Sequence, residues 1–216
     1  MIKQLVNKFD KKKISTLPRV LFEGNIVVVI SESVAEKAVD FLLSQDILGV
    51  DSETRPCFTK GRHNQVALLQ VSTRETCFLF RLNHLHSSPA VKRLLEDTTV
   101  PKIGLSLKDD FAQLNKRFSF KPGFFIDLQN EIKSIGVVDM SLAKLYANFF
   151  GMRISKREQL SNWEADVLTE KQKRYAATDA WACIMLFEEF NRLLETGEYE
   201  LEIIPEPESK RAPSEP

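Results

Sequence analysis

The chain has 216 residues, with 30 basic against 30 acidic side chains and 43% hydrophobic residues. That is enough for one large domain with a sizeable core, and the balanced charge excludes a generic polycation that coats nucleic acid. Cys57, Cys77 and Cys183 lack zinc-type spacing, the basic start to Lys13 has no apolar h-region, and no apolar run approaches membrane-spanning length, so a soluble cytoplasmic protein with free thiols and no membrane partner is expected.

Residues 1–24 read as a polar, Lys-rich arm, in which Lys11-Lys12-Lys13 is a solvated charge run. Asn25 to Ile30 is a β-branched run and predicts a strand. Ser33-Val34-Ala35-Glu36 has the form of a capping box, and Ala35, Val39, Leu42 and Leu43 form a helical stripe behind it. Asp46 to Val50 then leads, as an apolar strand, into Asp51-Ser52-Glu53-Thr54. Strands are also predicted over 65–71 and 76–80, joined by a turn, so that the three strands between Ile47 and Phe80 suit a meander. Further along come a short helix over 89–96, a strand over 100–105, a helix over 106–117, a strand over 124–128 and a helix over 141–150 stopped by Gly151. An irregular stretch follows to 168, then Thr169-Glu170-Lys171-Gln172 caps a long last helix to about Leu194. Residues 25–196 form one α/β domain on this reading, and 197–216 a tail rich in Pro, Glu and Ser that is expected to be disordered.

Three segments carry candidate chemistry. Strand side chains alternate, so Asp51 and Glu53 point the same way at the end of an apolar strand. Two dehydrated carboxylates side by side repel, and a hard divalent cation between them relieves that. An Asp-x-Glu triplet alone is common among solvated surface acids, so its meaning depends on partners elsewhere. Tyr175 and Asp179 stand four apart on one helix face, in line with Ala180, Cys183, Ile184 and Phe187, which puts an acid on the core side. Asp109 and Asp110 fall in the first turn after the strand at Ile103-Gly104, at the carboxyl end where open α/β sheets place their sites.

Asp51-Ser52-Glu53, then Ile103-Gly104 with Asp110 and Leu114, then Ser161-Asn162-Trp163, Leu168-Thr169-Glu170, Gln172 and Tyr175-Ala176-Ala177-Thr178-Asp179-Ala180 together resemble the three motifs of the DEDDy 3′–5′ exonucleases, the group of ribonuclease D and the Werner exonuclease domain. The resemblance implies a ribonuclease-H-like fold, a five-stranded mixed sheet flanked by helices. It implies that Asp51, Glu53, Asp110 and Asp179 hold two divalent cations, Mg²⁺ or Mn²⁺, that Tyr175 orients the attacking water, and that the partner is nucleic acid with a free 3′ end. Asp110 is chosen over Asp109 because Leu114 stands four residues on, and Arg174 occupies the place of the sister subfamily's His. Val167 departs from the family's usual Pro in a loop, and residues 196–216 are too few for the helical nucleic-acid-binding domains that ribonuclease D carries.

A polyanionic substrate meeting an acidic site requires basic groups around it. Thr54, Arg55, Lys108, Lys156, Arg157 and Trp163 are the candidate substrate contacts, with Lys60, Arg62, Arg153, Lys171 and Arg174 also near the motifs. Phe58 is a candidate for base stacking, and Phe111 for core packing. Two alternatives stay open at this point: a catalytically weak nucleic-acid-binding domain of the same fold, and an oligonucleotide-specific phosphodiesterase.

Overall fold

Aliphatic and β-branched runs account for the strands of the computed structural model, which describes residues 2–59, 61 and 64–205. In chain order the elements are β1 (Lys3–Val6), α1 (Lys11–Ile14), β2 (Asn25–Val29), α2 (Glu32–Leu42), β3 (Leu48–Thr54), β4 (Val66–Ser72), β5 (Thr76–Arg81), α3 (Leu82–Leu85), α4 (Pro89–Glu96), β6 (Lys102–Gly104), α5 (Leu107–Phe118), β7 (Phe125–Asp127), α6 (Leu128–Lys133), α7 (Leu142–Phe150), α8 (Glu170–Thr196) and β8 (Tyr199–Glu202). Among the described residues no helix is long and apolar enough to cross a membrane.

Six strands form the main sheet, in the order β2-β5-β4-β3-β6-β7. β3, β4 and β5 run antiparallel as the expected meander, and β2, β6 and β7 join in parallel. The mixed sheet flanked by helices matches the ribonuclease-H-like expectation, but it has six strands rather than five, because Asn25–Val29 lies along β5 as an edge strand. The two faces bury different layers. Leu48, Val50, Leu69, Val71, Phe78 and Phe80 meet α2, α4 and α5 on one side. On the other side Leu68, Cys77 and Leu79 pack with Tyr175, Ala176, Ala177 and Ala180 of α8, whose outer turns continue into a cluster with α6 and α7.

Caps set the helix limits. Thr169 accepts from Gln172 N while the Gln172 side chain accepts from Thr169 N, the reciprocal cap read from the sequence. Gly151 ends α7 at φ 64°, a left-handed turn that suits glycine. For α2 the helix begins two residues before the Ser33 box, at an N-cap Ser31 without a side-chain cap bond, and Glu32 instead accepts from Ala90 N of α4. Lateral docking decided that end.

The arm and tail depart most from expectation. β1 and β8 pair in parallel as a separate two-stranded sheet, so residues 199–202 are ordered rather than tail. Leu5 is fully buried, the Asn148 amide bonds both the N–H and the carbonyl of Val6, and Asp139 accepts from Phe9 N. Further on, the arm lies along Arg153, with Val20 N donating to the Arg153 carbonyl and Arg153 N to that of Pro18. Residues 206–216, where disorder is expected, lie outside the described residues.

α8 sits on β3 at backbone distance. A Cβ on Gly49 would stand 2.0 Å from the Ala180 carbonyl oxygen, closer than any side chain tolerates. We therefore expect Gly49→Ala to push α8 off the sheet, lowering unfolding free energy by about 2 kcal/mol or more in urea titrations. Activity should fall with it, because Asp179 adjoins Ala180.

Candidate active site

Alternation along β3 decides which acids meet. Gly49 faces α8, so Asp51 and Glu53 face it too, while Ser52 faces the α5 layer. Asp179, on the sheet-facing side of α8, completes the group: one oxygen from each of Asp51, Glu53 and Asp179 lies within 4.8 Å of the others. These acids line a cavity of about 330 Å³ with Ser141, Lys156, Gln159 and Tyr175 among its other walls.

Asp110 arrives from the opposite layer. It is half-buried and accepts the hydroxyl of Ser52, so it stands against β3 beside the three-acid group rather than within it. Asp109, its neighbour in sequence, is exposed. The turn into α5 is held by Asp127, whose carboxylate accepts from Ser106 N and Leu107 N and so fixes Ser106 at φ 59°. Ser52 and Asp127 are supports that motif reading passed over. The signal for Ser52 was its place between two acids, which the strand period turns toward Asp110.

Burial and like charge govern the protonation of the group. Burial first, then the charges of Asp179 and Asp110, hold the Asp51 carboxyl well above the usual carboxylate range. Burial first, then the charges of Asp51, Asp179 and Asp110, push Glu53 up to about 10. Asp179 is raised to about 7 by burial, an effect that Tyr175 and the Lys156 charge counter. Asp110 is also raised by burial, against the bond from Ser52. Tyr175 is driven above its ordinary value by burial and by the neighbouring carboxylates, so it keeps its proton and acts as a donor. Three carboxylate oxygens so placed, with Asp179 Oδ1 buried and without a hydrogen-bond partner among the described residues, fit a hard divalent cation.

The expected substrate contacts divide. Lys156 lines the cavity and bonds Ser141 Oγ, and Arg157 lines the groove beside it. Thr54 ends β3 just past a register shift at Glu53. Arg55 pairs with Glu164 at 3.2 Å. Lys108 is exposed on α5, and no described cavity includes it. Trp163 is a correction: it is 0% exposed, with its ring 5.9 Å from that of Tyr175, so it has no free face for a base and instead backs the tyrosine. Arg174 donates to the Phe22 carbonyl and is structural. Phe111 packs edge-on against Phe125, as expected for a core residue, and Phe58 is exposed. Lys60 and Arg62 lie outside the described residues.

Comparison with known proteins finds a matching family and similar folds. The family model described as 3′–5′ exonuclease matches residues 26–195. The mouse bifunctional 3′–5′ exonuclease/ATP-dependent helicase WRN is 31% identical over 193 residues, which span 84% of this chain and 14% of that protein. Among solved structures, the Nibbler EXO domain of Aedes aegypti superposes with a TM-score of 0.74 at 22% identity, covering 82% of this chain and 92% of that one. Trypanosoma brucei RNase D in complex with RNA U12 superposes with a TM-score of 0.69 at 20% identity, covering 78% of this chain and 63% of that one.

The raised carboxyls predict how stability responds to pH. Unfolded carboxyls release protons near pH 4, whereas folded Asp179 does so at about 7 and Glu53 at about 10. Between those limits the folded state holds more protons, so stability falls as pH rises. Melting curves in EDTA should therefore show Tm declining from pH 5 to 9. Added Mn²⁺ should restore it most at the alkaline end, where the acids are free to bind. Asp179→Asn should flatten both trends, and a Tm indifferent to pH and Mn²⁺ would refute the assignment.

Proposed function

This chain belongs to the 3′–5′ exonuclease family, and from that premise we propose that it hydrolyses single-stranded or 3′-ended nucleic acid one residue at a time, releasing nucleoside 5′-monophosphates with the help of two Mg²⁺ or Mn²⁺ ions. The convergence of Asp51, Glu53 and Asp179 carries this reading. The chain spans 14% of the mouse relative, so that protein's other activities and partners are not carried over.

Asp51, Glu53 and Asp179 would hold the ions, with Asp110 contributing from the Ser52 side. When bound, divalent cations lower the pKa of water and offset charge growing on the phosphate. The remaining work falls to the chain. Water attacks phosphorus, the bond from phosphorus to the 3′ oxygen breaks, and the leaving oxygen takes a proton to become the new 3′ hydroxyl. Tyr175 keeps its proton and so suits orienting the attacking water by hydrogen bonding, not abstracting its proton. Trp163 behind it fixes the ring, and the α8 backbone seated on Gly49 fixes the height of Asp179. Lys156 at the cavity wall offers a cation to the incoming phosphate.

A 5′-labelled single strand incubated with Mn²⁺ should yield a ladder shortening by one residue from the 3′ end. Asp51→Asn and Asp179→Asn should each reduce kcat by at least about a thousandfold with a native far-ultraviolet spectrum. Tyr175→Phe should lower kcat about ten- to a hundredfold while Mn²⁺ affinity, read by calorimetry, stays unchanged. Endonucleolytic products, or full activity in either Asp variant, would overturn the reading.

A further inference from the structure

Beside the acidic cavity lies a second depression of about 590 Å³, and Ser141, Ala143, Ile154 and Lys156 line both. Its charged lining is cationic throughout: Lys11, Lys144, Arg153, Lys156 and Arg157. One of these comes from α1, which precedes the family-matched residues 26–195. The arm is held in place there, since Arg153 Nε donates to the Leu17 carbonyl and residues 18 and 20 bond the Arg153 backbone. Two nearby acids are already engaged: Asp10 caps α1 through Lys12 N, and Asp139 pairs with Lys144 at 2.8 Å and accepts from Phe9 N. The side chains of Lys11 and Arg157, by contrast, have no hydrogen-bond or ion-pair partner among the described residues.

We propose that the N-terminal arm forms one wall of a basic groove that seats the phosphate backbone of a single strand behind its 3′ end, so that the arm is part of the substrate-binding surface. The proposal rests on the exonuclease reading for the polarity of the strand. Its physical basis is separate: a run of cations continuous with the catalytic cavity attracts a polyanion, and each phosphate contact releases a counterion. The 3′-terminal phosphodiester occupies the acidic cavity, and the preceding phosphates lie along Lys156, Arg157 and Lys11. This also sets the occupant's length. A dinucleotide fills the first cavity and leaves the groove empty, whereas a longer strand uses both.

The test compares the full chain with Lys11→Glu, a change at an exposed residue that does not line the acidic cavity. Binding of a labelled single strand of about twelve nucleotides is read by fluorescence anisotropy in Ca²⁺ across a range of NaCl. Hydrolysis of a 5′-phosphorylated dinucleotide is read separately with Mn²⁺. The expected result is at least about a tenfold loss of strand affinity at low salt, a slope of log affinity against log salt reduced by about 0.7, and unchanged dinucleotide kcat/KM. Lys11→Arg should bind like the original. Equal strand affinity and salt slope in Lys11→Glu would overturn the proposal, as would a full chain that binds no strand. A full chain that binds the strand but hydrolyses neither substrate would sink the exonuclease reading alone, and the Lys11→Glu binding comparison would still decide the groove.

Discussion

The structure turns on the contact between α8 and β3, where a peptide carbonyl of the helix lies against a glycine of the strand with no room for a methyl group. Packed interiors do not yield by fractions of an ångström, so this contact fixes the spacing between the two backbones. Asp179 precedes Ala180, and Asp51 follows Gly49 by one pleat. Their separation is therefore set by main-chain contact and not by the reach of flexible side chains. Left to themselves, three carboxylates would move apart or take up protons. Here the backbone denies them the first course, and the raised proton affinities of Asp51, Glu53 and Asp179 record the second. A hard divalent cation would relieve the same repulsion.

The central strand also divides the acids. Because side chains alternate, β3 sends Asp51 and Glu53 toward α8 and Ser52 toward α5. Asp110 meets the strand through Ser52, so the fourth acid is tied by a neutral hydroxyl to the face that the other three do not use. The result is an unequal site, with three acids gathered on one side and one at the flank. An unequal site suits a reaction whose two ends differ, one oxygen entering as water and the other leaving on a sugar.

Most of this geometry was legible in the sequence because it depends on period and order. The period of two places Asp51 with Glu53, the period of 3.6 places Tyr175 with Asp179, and the reciprocal cap at Thr169 and Gln172 fixes where α8 begins. What escaped depended on contacts between segments distant in sequence. β1 and β8 are four-residue strands of mixed polarity that exist because they pair with each other, so neither carries a local signal. Ser31 rather than Ser33 starts α2 because Glu32 is used by α4. Trp163 was a candidate substrate contact in an irregular stretch. Yet Arg81 from β5 donates to the carbonyls of Ala165 and Asp166, and that grip turns the loop inward and buries the indole.

A formal charge of zero conceals the feature that matters most for a polyanionic partner, which is segregation. The acids that converge on β3 would repel a phosphate backbone, and the cations that surround it are of two kinds. Arg55 and Arg174 have partners of their own, a carboxylate and a carbonyl. Lys156 stands at the boundary between the acidic cavity and the basic groove and interacts with both. Its charge lowers the proton affinity of Asp179. Lys11 lines the basic groove alone, so a change there leaves the lining of the acidic cavity intact. Phosphate contacts of this kind, where a protein makes them, hold a strand without reading its bases.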